Sequence, residues 1–149
     1  MNKFRLAGTA VAVLIVALVA FGQGFKVYPG AEKYMPPDNE ETRQAKAALP
    51  PGTTATYYTT NDGYEKVVGF YKTLGKEYSM PGMPKDRRLP SGQVLKQTFF
   101  IFDGAADLGS SKSWAKVQRP LIGSITLKGA MPEYHDIRDV TSITVAEKK

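Results

Sequence analysis

The sequence contains no cysteine and a single histidine, His135. The lack of cysteine excludes a disulfide framework, thiolate zinc sites, cysteine-ligated iron–sulfur clusters and a lipid attached to an N-terminal cysteine. One histidine leaves little room for a histidine-based metal site or a Ser-His-Asp triad. The 149 residues are 42% hydrophobic and 23% charged, with a formal net charge of +6. These values are typical of one globular domain rather than of a disordered chain or a nucleic-acid-binding tail.

Charge is also absent from Leu6 to Phe25, directly after the basic residues Lys3 and Arg5. This pattern predicts either a secretory signal cleaved before Gln23 or a transmembrane anchor, with residues 6–25 in the membrane. Under either interpretation the preceding positive charges place the rest of the chain outside the cytoplasm. We therefore divide the chain into a signal or anchor (1–25), a linker (26–37) and an extracytoplasmic domain (38–149).

Hydrophobic periodicity predicts the elements of that domain. A short, exposed helix follows Asp38, with Glu40 and Glu41 in its first turn. Apolar residues at helical spacing between Tyr64 and Leu74 predict a helix with one buried face. Four strands are predicted, at residues 53–60, 94–102, 121–128 and 140–145. Residues 80–92 are predicted as an exposed loop and 103–119 as a long connection.

The order of these elements predicts an α+β fold. Consecutive strands without intervening helices favour an antiparallel sheet, here of about four strands, with one amphipathic helix packed on it. The N-terminal hydrophobic segment would form a further helix before the domain.

The run Tyr58-Thr59-Thr60, followed by a helix carrying Lys66-Val67-Val68-x-Phe70-Tyr71, resembles a pattern in small exported bacterial proteins of unknown function. Residues 137–143 (IRDVTSI) are similar to their closing strand. The resemblance implies an exported bacterial α+β domain, and it implies no activity or catalytic residue.

Three short patterns have a chemical interpretation. Ser113-x-x-Lys116 matches the nucleophile motif of penicillin-recognising enzymes, but its partner motifs are missing and we interpret it as a surface turn. Asp103 and Asp107 are better explained by a capped turn than by a calcium loop. Glu133, His135 and Asp136 are likewise explained by a connection before the last strand. The sequence therefore predicts no catalytic residue, no metal site and no cofactor.

Cations surround the only tryptophan of the chain. Lys112, Trp114, Lys116 and Arg119 are a candidate docking surface for anionic headgroups or an acidic partner. The alternative is that Trp114 folds back onto the domain and the cations are solvated.

Two functions follow from these observations. The first is a non-catalytic accessory subunit, anchored in the inner membrane with its domain in the periplasm, which docks on a larger membrane-protein complex such as a respiratory or photosynthetic one. The second is a free periplasmic or secreted domain that binds a small ligand, with tyrosines and phenylalanines lining a cavity. Nucleic acid is not an expected partner of an exported protein.

Overall fold

The computed structural model describes residues 25–149, which form nine strands and two short helices. Residues 1–24, which are all but the last residue of the predicted signal or anchor, lie outside the described part of the chain. In residues 25–149 we find no helix long and apolar enough to cross a membrane. The strands are β1 (Glu32–Tyr34), β2 (Thr53–Thr60), β3 (Lys76–Tyr78), β4 (Asp86–Arg88), β5 (Val94–Ile101), β6 (Ser113–Arg119), β7 (Leu121–Lys128), β8 (Met131–Arg138) and β9 (Thr141–Lys148), and the helices are α1 (Glu40–Ala47) and α2 (Tyr64–Lys72).

Seven strands form one antiparallel sheet in the order β1-β2-β9-β6-β5-β3, with β4 also paired to β5. The long strands β2, β9, β6 and β5 lie in its centre. β7 and β8 pair only with each other, as a separate hairpin inserted between β6 and β9. Pro120 separates β6 from β7, and a proline cannot continue the ladder because it has no N–H to donate.

Helix α2 covers one face of this sheet, which we call the first face. Its buried residues are Tyr64, Val67, Val68 and Tyr71, which recur at the spacing of one helical stripe. They pack against alternate residues of the central strands. The sheet residues of this core are Phe100, Ala115, Val117, Ile143 and Val145. The predicted amphipathic helix and its buried face are confirmed.

The N-terminal segment of the described chain also contributes to this core. Tyr28 is buried, and its hydroxyl donates a 2.6 Å hydrogen bond to the carboxylate of Asp62, just before α2. Phe25 stacks on Tyr71 with ring centroids 5.8 Å apart. Residues 32–34, which fall in the predicted linker 26–37, form the edge strand β1. This segment is therefore part of the folded sheet and not only a tether.

The predicted fold class is wrong. The protein is mostly β, with a seven-stranded antiparallel sheet, a two-stranded hairpin and only two short helices in residues 25–149, instead of one helix on about four strands. The antiparallel arrangement was predicted correctly, but five strands were missed. β1, β3 and β4 have three residues each, too few to show a periodicity.

The other two missed strands are long but polar. β6 (SWAKVQR) lies within the predicted connection 103–119, and β8 (MPEYHDIR) contains proline and four charged or histidine residues. Proline is tolerated in β8 because each strand of a two-stranded hairpin is also an edge. β6 is stabilised by burial between β5 and β9, whereas β8, which has no buried residue, is stabilised by its pairing with β7.

Candidate functional site

The second face of the sheet, opposite α2, is polar at its centre. Directly opposed residues of antiparallel strands point to the same side, so the register places one row of side chains across this face. The row runs from β5 to β1 and consists of Phe99, Lys116, Thr144, Tyr57 and Tyr34. A neighbouring row contributes Gln118 and Ser142.

Helix α1 and strand β7 lie over this polar centre, and together with the sheet they line an open cavity of about 360 Å³. This cavity is called the Lys116 cavity below. Its floor is formed by β2, β6 and β9, and its walls by α1 and by residues 121–125 of the hairpin. Helix α1 starts here because Asn39 caps it, accepting a 2.9 Å hydrogen bond from the Thr42 N–H.

Two contacts hold the hairpin in place over the sheet. The Ile125 N–H donates a 3.3 Å hydrogen bond to the Glu41 carboxylate of α1. Near the base of the hairpin, the Arg138 guanidinium donates to the Tyr34 hydroxyl at 3.2 Å and also lies over that ring. Both contacts cross from the hairpin to another element, so they fix the walls of the Lys116 cavity relative to its floor.

Gly123 allows the hairpin to fold closely at the cavity wall. A Cβ atom at Gly123 would lie only 2.6 Å from a carboxylate oxygen of Asp136, on the facing strand β8. Asp136 itself has φ 50°, the left-handed region, which is unusual within a strand. The glycine is therefore required to accommodate the Asp136 side chain at this kink.

Lys116 is the charged residue in the cavity floor. Its Nζ has no hydrogen bond or ion pair with any of residues 25–149, and burial alone lowers the pKa of its amine. The Nζ is nevertheless reachable from solvent. Among residues 25–149, the one side-chain polar atom that is sealed from solvent and has no partner is the Ser113 Oγ, and the Lys116 Nζ is not such an atom. The Lys116 side chain is half-buried, so its ammonium loses part of its hydration without gaining the partner that a charge in such a place normally has.

The other polar groups of the floor differ from Lys116 in their bonding. The Gln118 amide donates to the Pro120 carbonyl at 3.2 Å, and the Ser142 hydroxyl donates to the Gln118 carbonyl at 3.3 Å. Burial raises the pKa of the Tyr57 phenol, which keeps this group neutral over the usual pH range. Lys116 is thus a cation flanked by neutral hydroxyls and amides.

The Ser113-x-x-Lys116 motif lies on strand β6, where side chains alternate between faces. Residues three apart on a strand point in opposite directions. Ser113 is on the side of the α2 core, whereas Lys116 is on the second face. The arrangement of a serine activated by a lysine one helical turn away is therefore not formed, and the surface-turn interpretation was also wrong.

The four residues of the candidate docking surface do not share one face. Trp114 lies on the second face, where it packs on Phe99 with ring centroids 6.2 Å apart. Arg119 points the other way and is held by Asp139, at 3.0 Å, and by the Asp62 carbonyl, at 3.1 Å. Lys112 is exposed just before β6. Docking through these residues stays a prediction.

The acidic patterns serve as turn caps. Asp103 accepts hydrogen bonds from the Lys112 N–H at 2.6 Å and the Ser111 hydroxyl at 2.9 Å. Burial opposes ionisation of Asp103, but these bonds outweigh it, and the pKa of the carboxyl is lowered. Asp107 accepts from the Ser110 N–H at 2.8 Å. The capped-turn interpretation is confirmed.

His135 lies on β8 and pairs across the hairpin, its Nε2 being 2.7 Å from the Thr126 hydroxyl. The segment predicted as a connection around Glu133, His135 and Asp136 is thus a strand. Among residues 25–149, no three histidine, aspartate or glutamate side chains come together in a group able to hold a metal ion.

A second, more apolar groove of about 710 Å³ lies between the hairpin tip and the turn at residues 89–91. Its charged groups and its histidine already have partners, since Lys128 pairs with Glu133 at 3.9 Å and His135 with Thr126. The Lys116 cavity is the better candidate site, because it contains a charged group that the protein leaves unpaired.

Comparisons of the chain with protein-family models, with curated proteins and with solved structures give no match. The function is therefore inferred from the geometry of the site. Sequence reasoning placed Lys116 on an outward docking surface and missed the cavity. The alternation of Ala115 and Val117 with Lys116 and Gln118 was the signal that could have shown a strand with one polar face.

Proposed function

We propose that this domain is a non-catalytic binding domain for a small organic ligand, which it holds in the Lys116 cavity. The observation that carries the proposal is the unpartnered Lys116 Nζ on the floor of a formed cavity. Small-molecule sites are typically concave, mostly apolar and supplied with a few polar groups that fix the ligand's orientation. At about 360 Å³, the Lys116 cavity is at the small end of their range, about 300–1,000 Å³.

The composition of the cavity supports binding rather than catalysis. Among residues 25–149, its charged lining residues are Lys116, in the floor, and Glu41, in the α1 wall on the opposite side. The Glu41 carboxylate is engaged with the hairpin backbone. The remaining floor groups are hydroxyls and amides, which orient a ligand but are weak acids and bases near neutral pH.

The proposal corresponds to the second function predicted from the sequence, an extracytoplasmic ligand-binding domain. The first, a membrane-anchored accessory subunit of a larger complex, stays a prediction. Nearly all of its predicted anchor lies outside the described part of the chain. Of its predicted docking residues, Trp114 and Lys116 point to one face of β6 and Arg119 to the other, while Lys112 precedes the strand. The location outside the cytoplasm also stays a prediction.

Filling the cavity with a larger side chain tests the proposal. Ala45 lies on α1 at the cavity wall, whereas Ala47 is on the same helix, is also exposed, and does not line the cavity. We expect benzamide and hexanamide, at millimolar concentration, to shift amide NMR signals of the cavity residues in the wild type. Ala45→Trp should abolish these shifts because the indole fills the entrance, and Ala47→Trp should preserve them.

Two results would contradict the proposal. One is a set of shifts scattered over the surface instead of grouped around the cavity floor and α1. The other is an equal response of the Ala45→Trp and Ala47→Trp variants, which would show that the probes bind elsewhere.

A further inference from the structure

The charges and surfaces that line the Lys116 cavity also define the class of its ligand, an inference that rests on the proposed function. We propose that the ligand is a small organic monocarboxylate, with its carboxylate bound by the Lys116 Nζ and its apolar body held against strand β7. The recognition is then one charge-assisted hydrogen bond at the floor and apolar contact at the wall.

The sign of the ligand's charge follows from Lys116. Its amine faces a cavity in which no carboxylate of residues 25–149 pairs with it. A bound anion would supply the missing partner and restore the interactions that the ammonium loses on burial. Besides Glu41, the ionisable groups lining the cavity are the phenols of Tyr34 and Tyr57. Within the described part of the chain, no second cation lines the cavity.

The size of the charge follows from the same set of groups. One ammonium balances one negative charge, so a dianion would leave an uncompensated charge in a partly desolvated site that also contains Glu41. The hydroxyl of Thr144 is next to Lys116 in the row across the sheet and can donate to the second carboxylate oxygen. A monocarboxylate therefore fits the polar end of the cavity better than a phosphate or a dicarboxylate does.

The apolar body of the ligand follows from the opposite wall. β7 places Leu121, Ile122 and Ile125 along the cavity, and Ile125 is 45% exposed. Apolar surface of this kind favours a ligand with a hydrocarbon or aromatic portion. Formate or acetate, which lack one, would leave this wall exposed.

Pairs of acids and their isosteric amides test the ligand class. Dissociation constants of benzoate and hexanoate are compared with those of benzamide and hexanamide by calorimetry at neutral pH. In the wild type we expect the acids to bind roughly tenfold to a hundredfold more tightly, the range of a hydrogen bond to a charged group. Adipate, a dianion of similar length, should bind more weakly than hexanoate.

The variant Lys116→Met removes the charge of the site while keeping a side chain of similar length, so it isolates the contribution of the charge to binding. It should bind acid and amide about equally, whereas Lys128→Met, on the exposed strand end of the hairpin, should keep the wild-type preference. Amides that bind the wild type as well as acids, or an acid preference that survives in Lys116→Met, would overturn the ligand class while leaving the proposed function intact. Failure of all these compounds to bind, with Ala45→Trp indistinguishable from Ala47→Trp, would overturn both.

Discussion

Truncating Tyr71 to alanine should lower the free energy of unfolding by about 3–5 kcal/mol, as expected for a fully buried aromatic residue. Tyr71 has no exposed surface and lies within 6.1 Å, between ring centroids, of four phenylalanines. One of them is Phe25, from the segment before the predicted linker. The loss would be a large fraction of the roughly 5–15 kcal/mol that stabilises a domain. Urea unfolding measures it.

Two further variants make this prediction specific. Tyr71→Phe keeps the ring and removes only the 3.0 Å hydrogen bond to the Lys26 carbonyl, so it should cost about 0.5–1.5 kcal/mol. Lys72→Ala is next to it on the exposed side of α2 and should cost well under 1 kcal/mol. Similar losses at positions 71 and 72 would contradict the orientation of α2 on the sheet.

Replacing Lys116 by methionine should have the opposite effect and stabilise the protein. Methionine has a similar length and no charge to desolvate, and exchange of buried charged groups for apolar groups of like size is neutral or stabilising by up to about 4 kcal/mol. Because the Lys116 side chain is only half-buried, we expect a gain of about 1 kcal/mol. A residue that weakens the fold is expected where binding requires it. Thermal unfolding should show a higher midpoint for Lys116→Met, and an unchanged one for Lys128→Met, whose side chain is 82% exposed in the wild type.

The pH dependence of this gain has a definite sign. Because burial lowers the pKa of Lys116 below the ordinary lysine value of 10.5, the unfolded chain binds more protons than the folded one between these two values. Wild-type stability contributed by this residue therefore rises with pH across that window. The advantage of Lys116→Met should be complete below the lowered pKa and should shrink towards pH 10.5. A stability gain of Lys116→Met that does not change with pH, or a Lys116→Met variant less stable than the wild type, would contradict the lowered pKa of Lys116.

The sequence predicted the parts of the fold whose local pattern is strong. α2 has four buried residues at helical spacing, and β2 and β5 are rich in aromatic and β-branched residues. It failed where strand formation depends on neighbours. β6 carries Lys116 and Gln118 between small or apolar residues, and it is a central strand only because β5 and β9 pair with it on both sides.

The candidate site was missed for the same reason. The sequence predicts that Lys116 and Trp114 belong to one functional surface. The direction in which the Lys116 side chain points depends on β6 being a strand and on its register with β9. The cover of the cavity depends on the hairpin, and β8 (MPEYHDIR) has little strand signal of its own. Neither the separation of Ser113 from Lys116 nor the approach of α1 to β7 is visible from spacing along the chain.

A pH titration of the lysine side-chain carbons by NMR tests the central claim most directly. The Lys116 signal is identified by its loss in the Lys116→Met variant. It should titrate below the ordinary lysine pKa of 10.5 and below Lys66 in the same spectrum. Lys66 is the internal reference, because its hydrogen bond and ion pair with Asp62, at 3.0 Å, raise the pKa of its amine. Saturating benzoate should move the Lys116 titration to higher pH and leave that of Lys66 unchanged. A Lys116 signal that titrates at or above 10.5, or that does not respond to benzoate, would contradict the account of a half-buried, unpaired amine that binds a carboxylate.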